Sequence, residues 1–140
     1  MFRNGFVEVS NAKTLATREM PGVGPVNQIH QPHFDEIIIG TVDSILSCQQ
    51  QLGLAPPTGV MLSLLRARGC RIWYTHYQEW SGDPIERDEI ICPELVIEQR
   101  PGDQKALARL LKPMLDTVWN ACGHPRSWNF NPAGEWTGGT

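Results

Sequence analysis

Residues 103–123 read DQKALARLLKPMLDTVWNACG, and this stretch decides the fold class. Leu107, Leu110, Leu111, Met114, Leu115, Val118 and Trp119 recur at steps of three and four, the spacing that lines one face of an α-helix. Asp103 stands where a side chain can accept the first free N–H groups. Gly123 stands where the chain can leave in a left-handed turn. Pro113 falls opposite the stripe and removes one backbone hydrogen bond at a cost of about 3 kcal/mol, which predicts a kink toward solvent or a break into two helices.

A helix with one apolar face needs something to cover it, and the residues upstream offer a second helix and several strands. In residues 34–52, Phe34, Ile38, Val42, Ile45, Cys48 (or Gln49) and Leu52 form a stripe. Asp35 and Glu36 sit in its first turn, where they complement the helix dipole, and Gly53 and Pro56-Pro57 stop it. The continuous apolar run Val60-Met61-Leu62-Ser63-Leu64-Leu65 reads as a strand covered on both faces. Arg66-Ala67-Arg68-Gly69 turns the chain, and residues 70–75 read as a second strand, making a hairpin with the first. Glu89-Ile90-Ile91 and Glu94-Leu95-Val96-Ile97-Glu98 read as one strand interrupted at Cys92-Pro93, with Pro93 at an edge or a bulge.

The N-terminal third is less regular. Asn4-Gly5 followed by Phe6-Val7-Glu8-Val9 predicts a short strand pair in residues 1–10. Pro21, Gly22, Gly24, Pro25 and Pro32 punctuate residues 11–33, which read as a linker or docking arm. Residues 127–136 are aromatic and irregular and should wrap over the edge of the core, with residues 137–140 frayed. The expected fold is therefore α+β: a small, mostly antiparallel sheet with two main helices on one face, formed by residues 34–136. Its expected core is Ile38, Val42, Ile45, Val60, Leu62, Leu64, Ile72, Leu95, Ile97, Leu107, Leu111, Leu115, Val118 and Trp119.

The whole chain has 140 residues, a formal charge of −3 and 41% hydrophobic residues. That fits one globular domain and rules out a wholly disordered chain. The acidic balance gives no general nucleic-acid or membrane footprint, and the reading is of a soluble, cytoplasmic protein. Cys48, Cys70, Cys92 and Cys122 contain no C-x-x-C pair, so they read as thiols, with Cys48, Cys70 and Cys122 in or beside apolar segments that would bury them.

Three groups of segments carry a family resemblance. One is Phe2-Arg3-Asn4-Gly5 with Phe6-Val7-Glu8. Another is Pro56-Pro57 before residues 60–65 and Arg68-Gly69. The third is Ile85-Glu86-Arg87-Asp88, Pro93-Glu94-Leu95-Val96-Ile97-Glu98, Val118-Trp119-Asn120-Ala121-Cys122-Gly123 and Pro125-Arg126-Ser127. In that order they resemble the C-terminal region of bacterial Schlafen/AlbA-type proteins, often labelled DNA-binding or ATP-binding. The AlbA-like domain of that family lies N-terminal to this region and has no counterpart here. The resemblance implies an accessory module, part of a longer gene or a stand-alone descendant, and it transfers no catalytic residue.

Candidate sites follow from the residues alone. His76 and Glu79, with Tyr77, Trp80 and Asp83, could serve acid–base or metal chemistry, but their spacing fits no metal motif, and a solvated loop is the simpler reading. His30 and His33 form a three-residue pair without a third ligand. Gly22-Val23-Gly24 is followed by no lysine, so no phosphate loop and no cofactor are implied. Arg66, Arg68 and Arg71 with Trp73 and Tyr74 could contact phosphates and stack bases, the basis of a nucleic-acid-binding alternative. Phe2, Phe6, Trp128, Phe130 and Trp136 suit a protein interface. The leading expectation is a non-enzymatic module that works by protein association, with itself or another protein.

Overall fold

The computed structural model describes residues 6–31, 33–74 and 79–138. The fold is α+β, as the periodicities require. The C-terminal helix forms as predicted. In the order of the chain, the elements are β1 (Leu15–Met20), β2 (Gly24–Gln31), α1 (His33–Gln51), β3 (Thr58–Val60), β4 (Ser63–Leu65), β5 (Arg71–Tyr74), β6 (Glu79–Ser81), β7 (Glu89–Ile91), β8 (Leu95–Ile97) and α2 (Gln104–Ala121).

Asp103 accepts the Ala106 N–H at 2.7 Å and caps α2. The helix then runs through Pro113 without a break, because the ring lies on the exposed side and the buried stripe from Leu107 to Trp119 carries the packing. The following turn satisfies further groups, with Thr117 Oγ1 donating to the Pro113 carbonyl at 2.8 Å. Leu110 is the stripe member left exposed. Both helices end alike. Gly53 and Gly123 take positive φ, and the next residue's N–H reaches five residues back, Leu54 to Gln49 and His124 to Trp119.

The largest correction concerns residues 11–33. They are no linker: residues 15–31 fold as the β1–β2 hairpin, turning through Gly22 and Gly24 at φ +79° and +89°. The glycines and prolines that suggested a loop mark the turn and the strand ends. The strand pair expected in residues 1–10 is not seen where it can be checked, since residues 6–10 are irregular and residues 1–5 lie outside the described ones.

β1 and β2 belong to a four-stranded sheet of order β1-β2-β5-β6, in which β2 and β5 are parallel and the other pairs antiparallel. The expected β4–β5 hairpin does not form. β5 goes to β2, while residues 58–65 pair with residues 89–97 as a separate antiparallel ribbon. Within that ribbon β3 pairs β8 and β4 pairs β7, and the three residues 92–94 lie opposite the two residues 61–62. Pro93 thus sits at a bulge, as its missing N–H suggested. The apolar run from Val60 to Leu65 is two short strands, and it is not covered on both faces: Leu64 is buried while Met61 and Leu65 are exposed.

The core lies between the sheet, the two helices and the ribbon. Ile29, Ile72, Phe34, Ile39, Leu46, Leu64, Ile90, Ile97 and the α2 stripe close around it. The predicted core members Ile38, Val60, Leu62 and Leu95 are half-buried against it. The inward face of α1 is Asp35, Ile39, Val42 and Leu46, about one residue round from the expected stripe. Ile45 and Cys48 consequently line an open groove with Val7, Val9 and Ile37, and Cys48 is exposed rather than buried. Cys70, Cys92 and Cys122 are buried, and burial pushes the last two thiols up to about 11 and about 12.

Candidate functional site

The aromatic tail was expected to present an interface, and the structure divides it. Phe130 is 2% exposed and meets the half-buried Trp136 edge-on across a β-bridge, with ring centroids 5.2 Å apart. These two residues therefore close the tail on itself and on the core. Trp128 remains 44% exposed, and Phe6 is exposed, while Phe2 lies outside the described residues. Arg126 holds the tail by donating to the carbonyls of Phe130 and Asn131 at 3.0 and 2.7 Å.

What pins the tail is a buried polar cluster that the sequence reading missed. Asp35 is fully buried. Its Oδ2 accepts the Ser127 hydroxyl at 2.5 Å and the Asn129 amide at 2.9 Å, and its Oδ1 accepts Trp119 Nε1 at 3.3 Å. Asn129 Oδ1 in turn accepts Gln31 Nε2 at 2.8 Å. One carboxyl thus joins the start of α1, the end of β2, α2 and the tail. Burial pushes the Asp35 carboxyl above its ordinary range, and the three donors partly offset this. Nothing in the sequence separates Asp35 from its neighbour Glu36, because the partner Ser127 is 92 residues away.

Beside this cluster lies an aromatic corner. Ser81 Oγ is 3.2 Å from His124 Nε2, and the His124 ring packs edge-on against Trp128 and Trp119 at 4.6 and 5.5 Å. Tyr74 meets Trp128 at 5.4 Å. The imidazole is held on its flanks by indoles, an arrangement of packing rather than of an open reaction centre. Of the expected acid–base group, His76 and Tyr77 lie outside the described residues. Glu79 and Asp83 are exposed, and Trp80 belongs to the sheet.

The arginine group is dispersed. Arg66 turns the chain at φ +56° after β4 and is exposed. Arg68 is tied to Asp88 at 2.9 Å on the surface, and this pairing holds the Asp88 carboxyl below its usual range. Arg71 lies on β5, where its Nη2 donates to the Gly82 carbonyl at 3.0 Å and its guanidinium sits 6.0 Å from the Trp80 ring centroid. Trp73 shares that face, but Tyr74 points to the other one, toward the tail. His30 and His33 stand with ring centroids 6.2 Å apart. Burial first, and then His33 and Arg18, hold the His30 pKa below its ordinary value.

The ribbon presents an open apolar surface. In β4 and β7, Leu64 and Ile90 point inward, so alternation turns Ser63, Leu65, Glu89 and Ile91 outward. Leu65 is 62% exposed and Ile91 is 74% exposed, and they are diagonal neighbours across the pair. Exposed Met61 and Val96 extend the apolar character along the ribbon. At its end stand three cations, Arg66, Arg68 and Arg87, and three anions, Glu86, Asp88 and Glu89, all exposed. The sequence signal for this surface was present in the apolar run, but it read as a doubly covered strand. No described helix is long and apolar enough to cross a membrane. No family model, curated protein or solved structure matches this chain.

Proposed function

We propose that this chain is a non-enzymatic module that acts in the cytoplasm by associating with a second copy of itself through the outer face of the ribbon. The observation that carries the reading is the exposure of Leu65 and Ile91, diagonal neighbours on a regular antiparallel pair. Two large aliphatic side chains left in water on a flat surface favour burial against a partner, at about 25 cal/mol per Å² of apolar area covered.

The charges around them favour a second copy. A two-fold axis brings the same patch against itself, so an interface between identical copies must be complementary to its own image. A rim with three cations and three anions meets that condition, whereas a rim of one sign would repel its copy. The three-residue strands are short, and the core covers only their inner face, so a partner would cover the outer one.

Light scattering after size exclusion tests this directly. The wild-type chain should run as a dimer, and Leu65→Glu should run as a folded monomer, because it places like charges on the two-fold axis. A wild-type chain that stays monomeric at the highest soluble concentration would overturn the reading, as would a dimer that survives both Leu65→Glu and Ile91→Glu.

A further inference from the structure

The four-stranded sheet has two unlike faces. Ile29, Gln31, Ile72, Tyr74 and Ser81 turn toward the helices and tail, as Gln31–Asn129, Tyr74–Trp128 and Ser81–His124 contacts require. Alternation then places Arg18, Gln28, His30, Arg71, Trp73 and Trp80 together on the opposite face. Register confirms their adjacency: Gln28 lies beside Arg71, His30 beside Trp73, and Trp73 beside Trp80.

These side chains form a continuous cationic and aromatic strip. The Trp73 and Trp80 rings meet at 4.9 Å, with Arg18 at 5.9 Å from the first ring and Arg71 at 6.0 Å from the second. By strand alternation, no carboxylate of the described strand residues shares this face: Glu19 and Glu79 belong to the other. The face is positive in a chain of net charge −3. A guanidinium lying over an indole keeps in-plane N–H donors for a phosphate, which suits exposed Arg18 best, since Arg71 already gives one Nη2 donor to the Gly82 carbonyl. Two polar groups of this face have no hydrogen-bond partner among the described residues. Gln28 is only 3% exposed, yet its Oε1 has no donor, and the buried Arg71 Nε has no acceptor. Gln28 and Arg71 are register partners, so this acceptor and this donor lie side by side, shielded from solvent.

We propose that this sheet face binds single-stranded nucleic acid, with Trp73 and Trp80 stacking bases and Arg18 and Arg71 contacting phosphates on either side. A single strand supplies flat rings, polar base edges and spaced anions together, whereas duplex DNA hides its ring faces within the stack. The surface is distinct from the ribbon, so binding does not depend on self-association.

Fluorescence anisotropy with a labelled oligothymidylate, the matching duplex and thymidine monophosphate as competitor tests this. The single strand should bind at low salt and weaken as salt is added. Trp73→Ala should weaken it roughly five- to hundred-fold, the usual effect of removing one stacked base. Arg18 is exposed, so Arg18→Gln should fold normally and lower the salt slope by about 0.7. Leu65→Glu should leave binding unchanged, which separates this site from the dimer surface. Absence of single-strand binding would overturn the proposal. So would equal affinity for the duplex, displacement by the mononucleotide at equal molar amounts, or an Arg18→Gln variant with an unaltered salt slope.

Discussion

At the scale of one residue, Asp35 is the most consequential side chain in the fold. Its carboxyl oxygens accept three hydrogen bonds from groups that converge only in the folded state. Asp35→Asn would set an amide N–H₂ against one of those donors and should cost about 1–3 kcal/mol, the penalty for an unmade buried hydrogen bond. The pH dependence has a definite sign. Burial raises the folded carboxyl pKa above its unfolded value, so the native state holds the proton longer. Stability is then greatest below the unfolded pKa and falls as pH rises from there through the folded one. Urea unfolding of both proteins from pH 3.5 upward checks this: the wild type should lose part of its margin over Asp35→Asn with rising pH. A margin independent of pH would show that Asp35 does not titrate differently on folding. Asp35 was legible in the sequence as an acidic residue in a first helical turn. Its burial was not, because that depends on a tail with no periodicity of its own.

At the scale of elements, the junction between β6 and the end of α2 is the tightest joint. Gly82 has φ +72°, and a Cβ there would stand 2.1 Å from the Cys122 carbonyl oxygen and 2.6 Å from His124 Nε2. The first of these is backbone and cannot turn aside. Gly82→Ala should therefore cost about 3 kcal/mol from left-handed strain and overpacking together. Gly59, in β3, has open space around it and an ordinary φ. Gly59→Ala should be neutral or stabilise by about 0.5–1 kcal/mol. Denaturant midpoints of the two variants give the comparison, and similar losses would refute the packing argument. The helices were legible at this scale because a period of three and four survives any tertiary setting. The pairing of β5 was not. Sequence proximity favoured β4, but β4 is taken by β7 and β5 lies beside β2, across the intervening α1.

At the scale of the molecule, two outer faces remain after the core closes: the apolar ribbon and the aromatic, cationic side of the sheet. If the ribbon joins two copies, folding is linked to association, and thermal stability rises with protein concentration. The melting temperature should climb across a hundredfold concentration series for the wild type and stay flat for Leu65→Glu. A flat wild-type series would place the chain among monomers. Folding divides the expected interface in the tail: Phe130 is buried, Trp136 packs half-buried against it, and Trp128 stays 44% exposed. The nucleic-acid group also changed: Arg71 and Trp73 share a face, whereas Arg66, Arg68 and Tyr74 are elsewhere.

The sequence by itself determined two amphipathic helices with their stops, the N-cap of α2, the bulge at Pro93 and the α+β class. Each of these depends on interactions within a few residues: helical spacing, an N-cap oxygen, a glycine turn or a missing proline N–H. Only the tertiary structure decided which face of α1 turned inward, since Ile37, Ile38 and Ile39 offer apolar side chains in three neighbouring directions. It also decided which strands paired and which aromatic residues stayed in water. Those choices depend on contacts between residues far apart in the chain, such as Asp35 with Ser127 and Asn129, which local periodicity does not encode.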